Sequence, residues 1–347
     1  MEAGRHIRQA PGSGGGALLC LAVLFAVVPV LSGCSLVYQT GGDVLAHYGR
    51  TEITPFMLGE DDIAMACRGG LAMTPVLGSL REHRANTGKL EIFTWSMAAM
   101  CAEQQALEQE LRFHRAAHQG LHERAEDART LQKRHSHQAA KRFYRSYLLW
   151  QEEFAEPAPG RCPAMRRDFD QLAYMVGMIS GAQALMHDTV ADFSLGVPRD
   201  VAGKAERAAA CLDSDRWWGL PMGIRAAIWT VLPMLAPEDA DPWGELARVV
   251  EQGEQAGIRL NSALYVVAAY SAGDRQRTRA ALRSFADQAG NHNPDYAFLD
   301  AMAVLMAGAV SDRLWTQAVG RRTPHNRLGS FWDDPATSPL DIEGLLD

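Results

Sequence analysis

The stretch 261-NSALYVVAAYSAGDRQRTRAALRSFADQ-288 decides the fold. Leu260, Leu264 and Val267 repeat at three- and four-residue steps, a spacing that puts an apolar stripe on one side of a helix. Gly273-Asp274 breaks the rhythm, and a second helical segment follows. Ala268, Ala269, Ala280 and Ala281 are small enough to let the two helices approach closely.

The same rhythm recurs on both sides of this hairpin. Phe143, Tyr144, Tyr147, Leu148 and Phe154 keep it, as do Phe169, Leu172, Val176, Ile179 and Met186. Ile224, Ile228, Val231 and Leu232 carry it on, and Phe298, Leu299, Met302, Leu305 and Met306 close the series. No sustained polar/apolar alternation bounded by turn residues appears, so the expected class is all-α. Breakers divide the helices: Gly120, the Pro157–Pro163 region, Pro237 with Asp241-Pro242, and Gly257. The 261–288 hairpin resembles a tetratricopeptide unit. The fold expected is therefore a set of degenerate tetratricopeptide-like repeats, with a non-repeating helical bundle as the alternative, because no clean 34-residue period is visible.

The amino terminus reads as an export signal. Arg5, His6 and Arg8 precede an apolar run, Ala17–Val30, which is shorter than the roughly 20 residues of a membrane span. Leu31-Ser32-Gly33-Cys34 then has the form of a lipobox, with Cys34 as the thiol that takes up a diacylglyceryl group. Ser35 rather than Asp follows it, which favours sorting to the periplasmic face of the outer membrane. The expected organisation is a signal peptide over 1–33, an anchor linker over 34–50, a helical-repeat domain over 51–310, and a surface-wrapping segment over 311–347.

Four further cysteines, Cys67, Cys101, Cys162 and Cys211, would sit in an oxidising compartment. They allow three pairings. Cys67–Cys101 with Cys162–Cys211 is the set that staples neighbouring helices, and four buried free thiols are the alternative. The formal net charge of −7 argues against a nucleic-acid binder.

The sequence holds no GxSxG, HExxH or GxxxxGK[ST] motif after residue 34, and no enzyme activity or cofactor is expected. His187-Asp188 lacks a neighbouring nucleophile, and Asp213, Asp215, Asp333 and Asp334 read as helix caps. His114, His118 and His122 recur every four residues within a basic stretch, Arg112–Arg145. A solvated basic face is the plain reading there. An anion- or partner-binding patch and a metal site are the sharper ones, although Gly120 interrupts the histidine series and no metal is expected. The candidate ligand- or partner-binding residues are Arg216, Trp217, Trp218, Trp229, Trp315 and Trp332, since Trp and Arg dominate such sites. Each tryptophan has a core-anchor reading beside it.

The lipobox, Asp62–Cys67, Cys101-Ala102-Glu103, Cys162-Pro163, Cys211-Leu212-Asp213, Trp217–Pro221 and Ser311–Trp315 together resemble the T-component family of tripartite ATP-independent periplasmic (TRAP) transporters. The resemblance implies a lipid-anchored periplasmic protein of tetratricopeptide-like helices, often a homo-oligomer. Such a protein docks a periplasmic solute-binding protein and assists uptake of a small solute, hydrophobic ones included. An envelope-assembly scaffold without a transport role is the alternative function. The resemblance implies no binding residues.

Overall fold

The computed structural model describes residues 35–154 and 161–335, whose regular elements are all helices, with no sheet among them. The proposed lipidation site, Cys34, and the tail from residue 336 lie outside the described residues. Helix α1 spans 35–58 and contains a π-helical turn at Gly49–Ile53. It is followed by α2 (Ile63–Glu82), α3 (Gly88–His118), α4 (His122–Glu153) and α5 (Asp168–Val190). Shorter helices complete the chain: α6 (Val201–Ala209), α7 (Leu220–Val231), α8 (Pro242–Ala256), α9 (Leu260–Ser271) and α10 (Arg275–Asp287). A last long helix, α11, covers Ala297–Val319.

Local chemistry sets many of the boundaries. Asp62, Asp241 and Asp274 each accept a hydrogen bond from a backbone N–H of the helix they precede, satisfying donors that have no partner within the helix. Gly257 and Gly320 end α8 and α11 in the left-handed conformation that a side chain rarely adopts.

The amino-terminal half is not built of short repeats. Helices α3 and α4 have 31 and 32 residues, each running roughly 45 Å, and pack as an antiparallel hairpin flanked by α2 and α5. Its core holds Ile92, Phe143, Tyr147, Leu149, Trp150, Tyr174 and Met178, all buried. Gly70 lets α2 approach α3, because a Cβ there would lie 2.7 Å from the Ala98 nitrogen and the Thr94 oxygen. Gly177 and Gly181 do the same for α5 against Trp150 and Tyr147.

The carboxy-terminal half has the hairpin geometry. Helix α9 touches α7, α8, α10 and α11. The hairpins begin at Leu220 and Leu260, and the single helix α11 follows from Ala297, so no repeating period is established. Within the 261–288 hairpin, Ala268 and Ala269 are buried and Ala281 is half-buried. Ala280 faces solvent, and Thr278, Leu282 and Phe285 make the close face of α10.

Two of the expected boundaries are corrected. Residues 35–50 form helix, not linker, because Ala46 is buried and Gly42 and Gly49 press against Leu80, Ala85 and Leu90. The division at 310/311 falls inside α11, whose buried residues Val310, Ser311, Trp315 and Thr316 continue one face across it. The wrapping segment starts at Gly320. It is tied down by Arg279–Asp333 and Arg283–Asp334 ion pairs and by Phe331, which is buried against α10. Asp333 and Asp334 are thus salt-bridge partners and not helix caps.

Candidate functional site

The six residues picked from the sequence fall into three places. Arg216, Trp217 and Trp218 lie in the turn between α6 and α7. Asp213 Oδ1 accepts from the backbone nitrogens of Asp215 and Arg216, and Trp218 and Gly219 both take positive φ, 52° and 83°. This reversal drives Trp217 into the core, where its Nε1 donates to Gln171 Oε1 at 2.7 Å. Trp218 meets Tyr296 edge-on at 4.7 Å, its carbonyl accepts from Asn261, and Arg216 pairs with Asp168. The turn therefore joins α5 to α9 and to the segment ahead of α11.

Trp229 is buried elsewhere, between α7, α8 and α9, with its Nε1 donating to Glu206 Oε1 at 3.3 Å. Arg225 bonds the same carboxylate and stacks on the indole. Trp315 is buried and donates to the Ser330 carbonyl, with Trp332 edge-on beside it at 5.8 Å. Their nitrogens satisfied and their rings packed, Trp217, Trp229 and Trp315 serve as core anchors. Arg216 and Trp332 stay exposed, but in different places, so the six do not form one binding surface.

The cysteines are paired as Cys67–Cys101 and Cys162–Cys211. The first ties α2 to α3. The second ties the segment ahead of α5 to the end of α6.

The histidines do not converge. His114 lies 3.9 Å from Glu110 on its own helix and 3.4 Å from Gln317. His118 packs beneath Gly320. His122 opens α4 beyond the Gly120 turn, where φ is +70°. No group of three or more His, Cys, Asp or Glu side chains positioned for a metal ion occurs among the described residues.

The basic stretch is divided by its partners. Lys133 pairs with Asp192, Arg142 donates to the Ala98 carbonyl, Arg129 covers Phe113 and bonds Gln132, and Arg115 donates to the Gly320 carbonyl. What remains is a groove of about 410 Å³ at the closed end of the α3–α4 hairpin. Arg112, Arg124 and the already bonded Arg115 line it, together with Glu123, Asp127 and Leu121. Comparison with known proteins adds no assignment. No family model matches the chain, and no curated protein or solved structure matches it.

Other polar pairs are structural in their geometry. His187 Nε2 stands 3.2 Å from Glu103, and the neighbouring Asp188 accepts from the nitrogens of Leu195 and Val197 at 2.8 Å each. His137 Nδ1 lies 2.7 Å from Ser194 Oγ on the exposed surface, a contact 57 residues apart in sequence that no local motif announces. Beside the groove, Glu110 joins α3 to α11 by accepting two bonds from Arg313 at 3.0 Å. Burial works against its ionisation, but His114 and the Arg313 guanidinium outweigh it and hold the carboxyl at about 2.

Proposed function

We propose that the chain is a lipid-anchored accessory protein on the periplasmic face of the outer membrane, where it docks a solute-binding protein and assists TRAP-type uptake of a small solute. The observation that carries this reading is the arginine-lined groove at the end of the α3–α4 hairpin. Its wall carries three arginines against two carboxylates, Glu123 and Asp127, on a chain of net charge −7, and a local excess of opposite sign to the whole selects partner orientation more than it adds raw affinity. The partner surface it fits is acidic, presented as carboxylates on a loop or helix end that can enter between Arg112 and Arg124. The lipobox at Cys34 supports the placement, since an acyl tether confines the groove to a layer next to the membrane. No catalytic step is part of the proposal.

The test is capture from native envelopes with the full acylated chain and with an Arg112→Glu/Arg124→Glu variant. The expected result is a solute-binding protein recovered with the native chain and lost with the variant, at unchanged thermal stability. Recovery of envelope-assembly proteins alone, or equal capture by both chains, overturns the transport role or the groove, respectively.

A further inference from the structure

Helices α1 and α2 carry an outward face that a water-exposed helix pair does not need. On α2 the exposed positions are Ala64, Met65, Arg68, Gly69, Leu71, Ala72, Pro75, Val76, Ser79 and Glu82. Arg68 is the one charge on this face before Glu82 at the end. Met65 is 38% exposed, Leu71 40% and Val76 44%. The helix is long and apolar enough to cross a membrane by length and composition, yet only 28% of it is buried. On α1, Val37, Val44 and Tyr48 fall seven and four residues apart, on one side, and are 69%, 64% and 54% exposed. Leu36 and Phe56 add to the exposed apolar surface at its two ends. An amphipathic helix in water puts charge on its outer side; on α1 the exposed charged or titratable residues are Asp43, His47 and Glu52, and exposed apolar residues in this number mark a contact.

We infer that this outer face of α1 and α2 rests on the lipid surface beside the anchor, as a second, non-covalent membrane contact. The occupant follows from where the chain outside the structure ends. Cys34, the residue read as carrying the acyl group, stands immediately before the first described residue of α1, so on that reading the acyl chains and the apolar face lie next to each other along the chain. Spanning is ruled out for α2 by its attachments: the Cys67–Cys101 disulfide and the close approach at Gly70 hold it along α3. A helix fixed in that way can only lie along the interface, with its apolar side entering the boundary between headgroups and acyl chains. Tyr48, half exposed on α1, carries an amphipathic ring of the kind that settles at headgroup depth, while Tyr38 packs on His83. The inference uses the lipid-anchor reading for its occupant and is independent of any partner at the groove.

The experiment places an environment-sensitive fluorophore on the full acylated chain at Val44→Cys, at Val76→Cys and, as a control on the exposed side of α4, at Glu126→Cys. Each is reconstituted in vesicles of phosphatidylethanolamine and phosphatidylglycerol, with nitroxide-bearing lipid as one quencher and iodide as the other. The expected result is quenching by the lipid nitroxide at positions 44 and 76, at least about twofold stronger than at 126, with iodide showing the reverse order. Equal iodide access at all three positions overturns the inference. Cross-linking of Val44→Cys between copies in detergent, with the face shielded whether or not vesicles are present, also overturns it, in favour of a second copy of the chain. Intact mass is recorded in parallel. Absence of acyl mass on Cys34 would defeat the anchor reading alone, and the quenching order would still decide whether the face meets lipid.

Discussion

Glu110→Gln probes the join between the long-helix half and α11, and the size of its effect can be worked out. Glu110 is 18% exposed and accepts both bonds of the Arg313 guanidinium at 3.0 Å. Its carboxyl is held at about 2 against an ordinary 4.5. The folded value lies below the unfolded one, so the contribution is fully present above pH 4.5 and is lost as pH falls toward 2. The gap corresponds to about 3 kcal/mol at the upper end, of which about 2 kcal/mol disappears between pH 5 and pH 3. Glu91 and Glu153 act in the opposite sense, since burial raises both carboxyls and acidification favours the folded state through them. Both remain in the variant, so they cancel in a comparison. Urea unfolding followed by circular dichroism at pH 5 and pH 3 should show the native chain more stable than Glu110→Gln at pH 5, with the difference narrowing by about 2 kcal/mol at pH 3. A difference that stays constant to within about 0.5 kcal/mol across the two pH values would refute the assignment of the acid-sensitive term to this carboxylate.

Three further outcomes are expected. Gly70→Ala should cost about 2 kcal/mol or more in thermal unfolding, because its new methyl meets the α3 backbone at Thr94 and Ala98, which cannot rotate away. Replacing Cys162 and Cys211 together by Ser should lower stability by about 4 kcal/mol, the loop-closure value for a crosslink 49 residues apart; denaturant titration of the non-reduced proteins measures it. Trp217→Phe should cost about 1 kcal/mol by removing the indole donor to Gln171 while keeping most of the apolar contact, and an unchanged midpoint would count against a joint at the α6–α7 turn.

The helical class was legible because amphipathic spacing is a local property. The Gly273-Asp274 break and the Gly120 turn lie where the residue types announce them, whereas the capping carboxylates are Asp62, Asp241 and Asp274 and not Asp213, Asp215, Asp333 or Asp334. The helix over 35–48 was not, since Tyr-Gln-Thr-Gly-Gly-Asp at 38–43 reads as loop until Leu80 and Ala85 are seen filling the space that Gly42 leaves open. The tryptophans show the same limit. A pair such as Trp217-Trp218 signals a place where aromatic area is needed, but whether it lines a groove or closes a joint depends on Gln171, Tyr296 and Asn261, which lie 43 or more residues away. The groove at the α3–α4 end had its arginines in view from the start; its shape did not appear in the sequence because Arg129, Lys133 and Arg142 are drawn off by Gln132, Asp192 and Ala98, while Arg115 stays on the wall, held by the Gly320 carbonyl.

From the amino-acid order alone came the helices and their breaks, because each rests on interactions within a few residues. Only the tertiary structure decided which glycines are contact points, which arginines are left to line a groove, and which apolar side chains of α1 and α2 remain uncovered. Burial is a property of what packs against a side chain, and the packing partner is set by the meeting of distant segments, not by the neighbours along the chain.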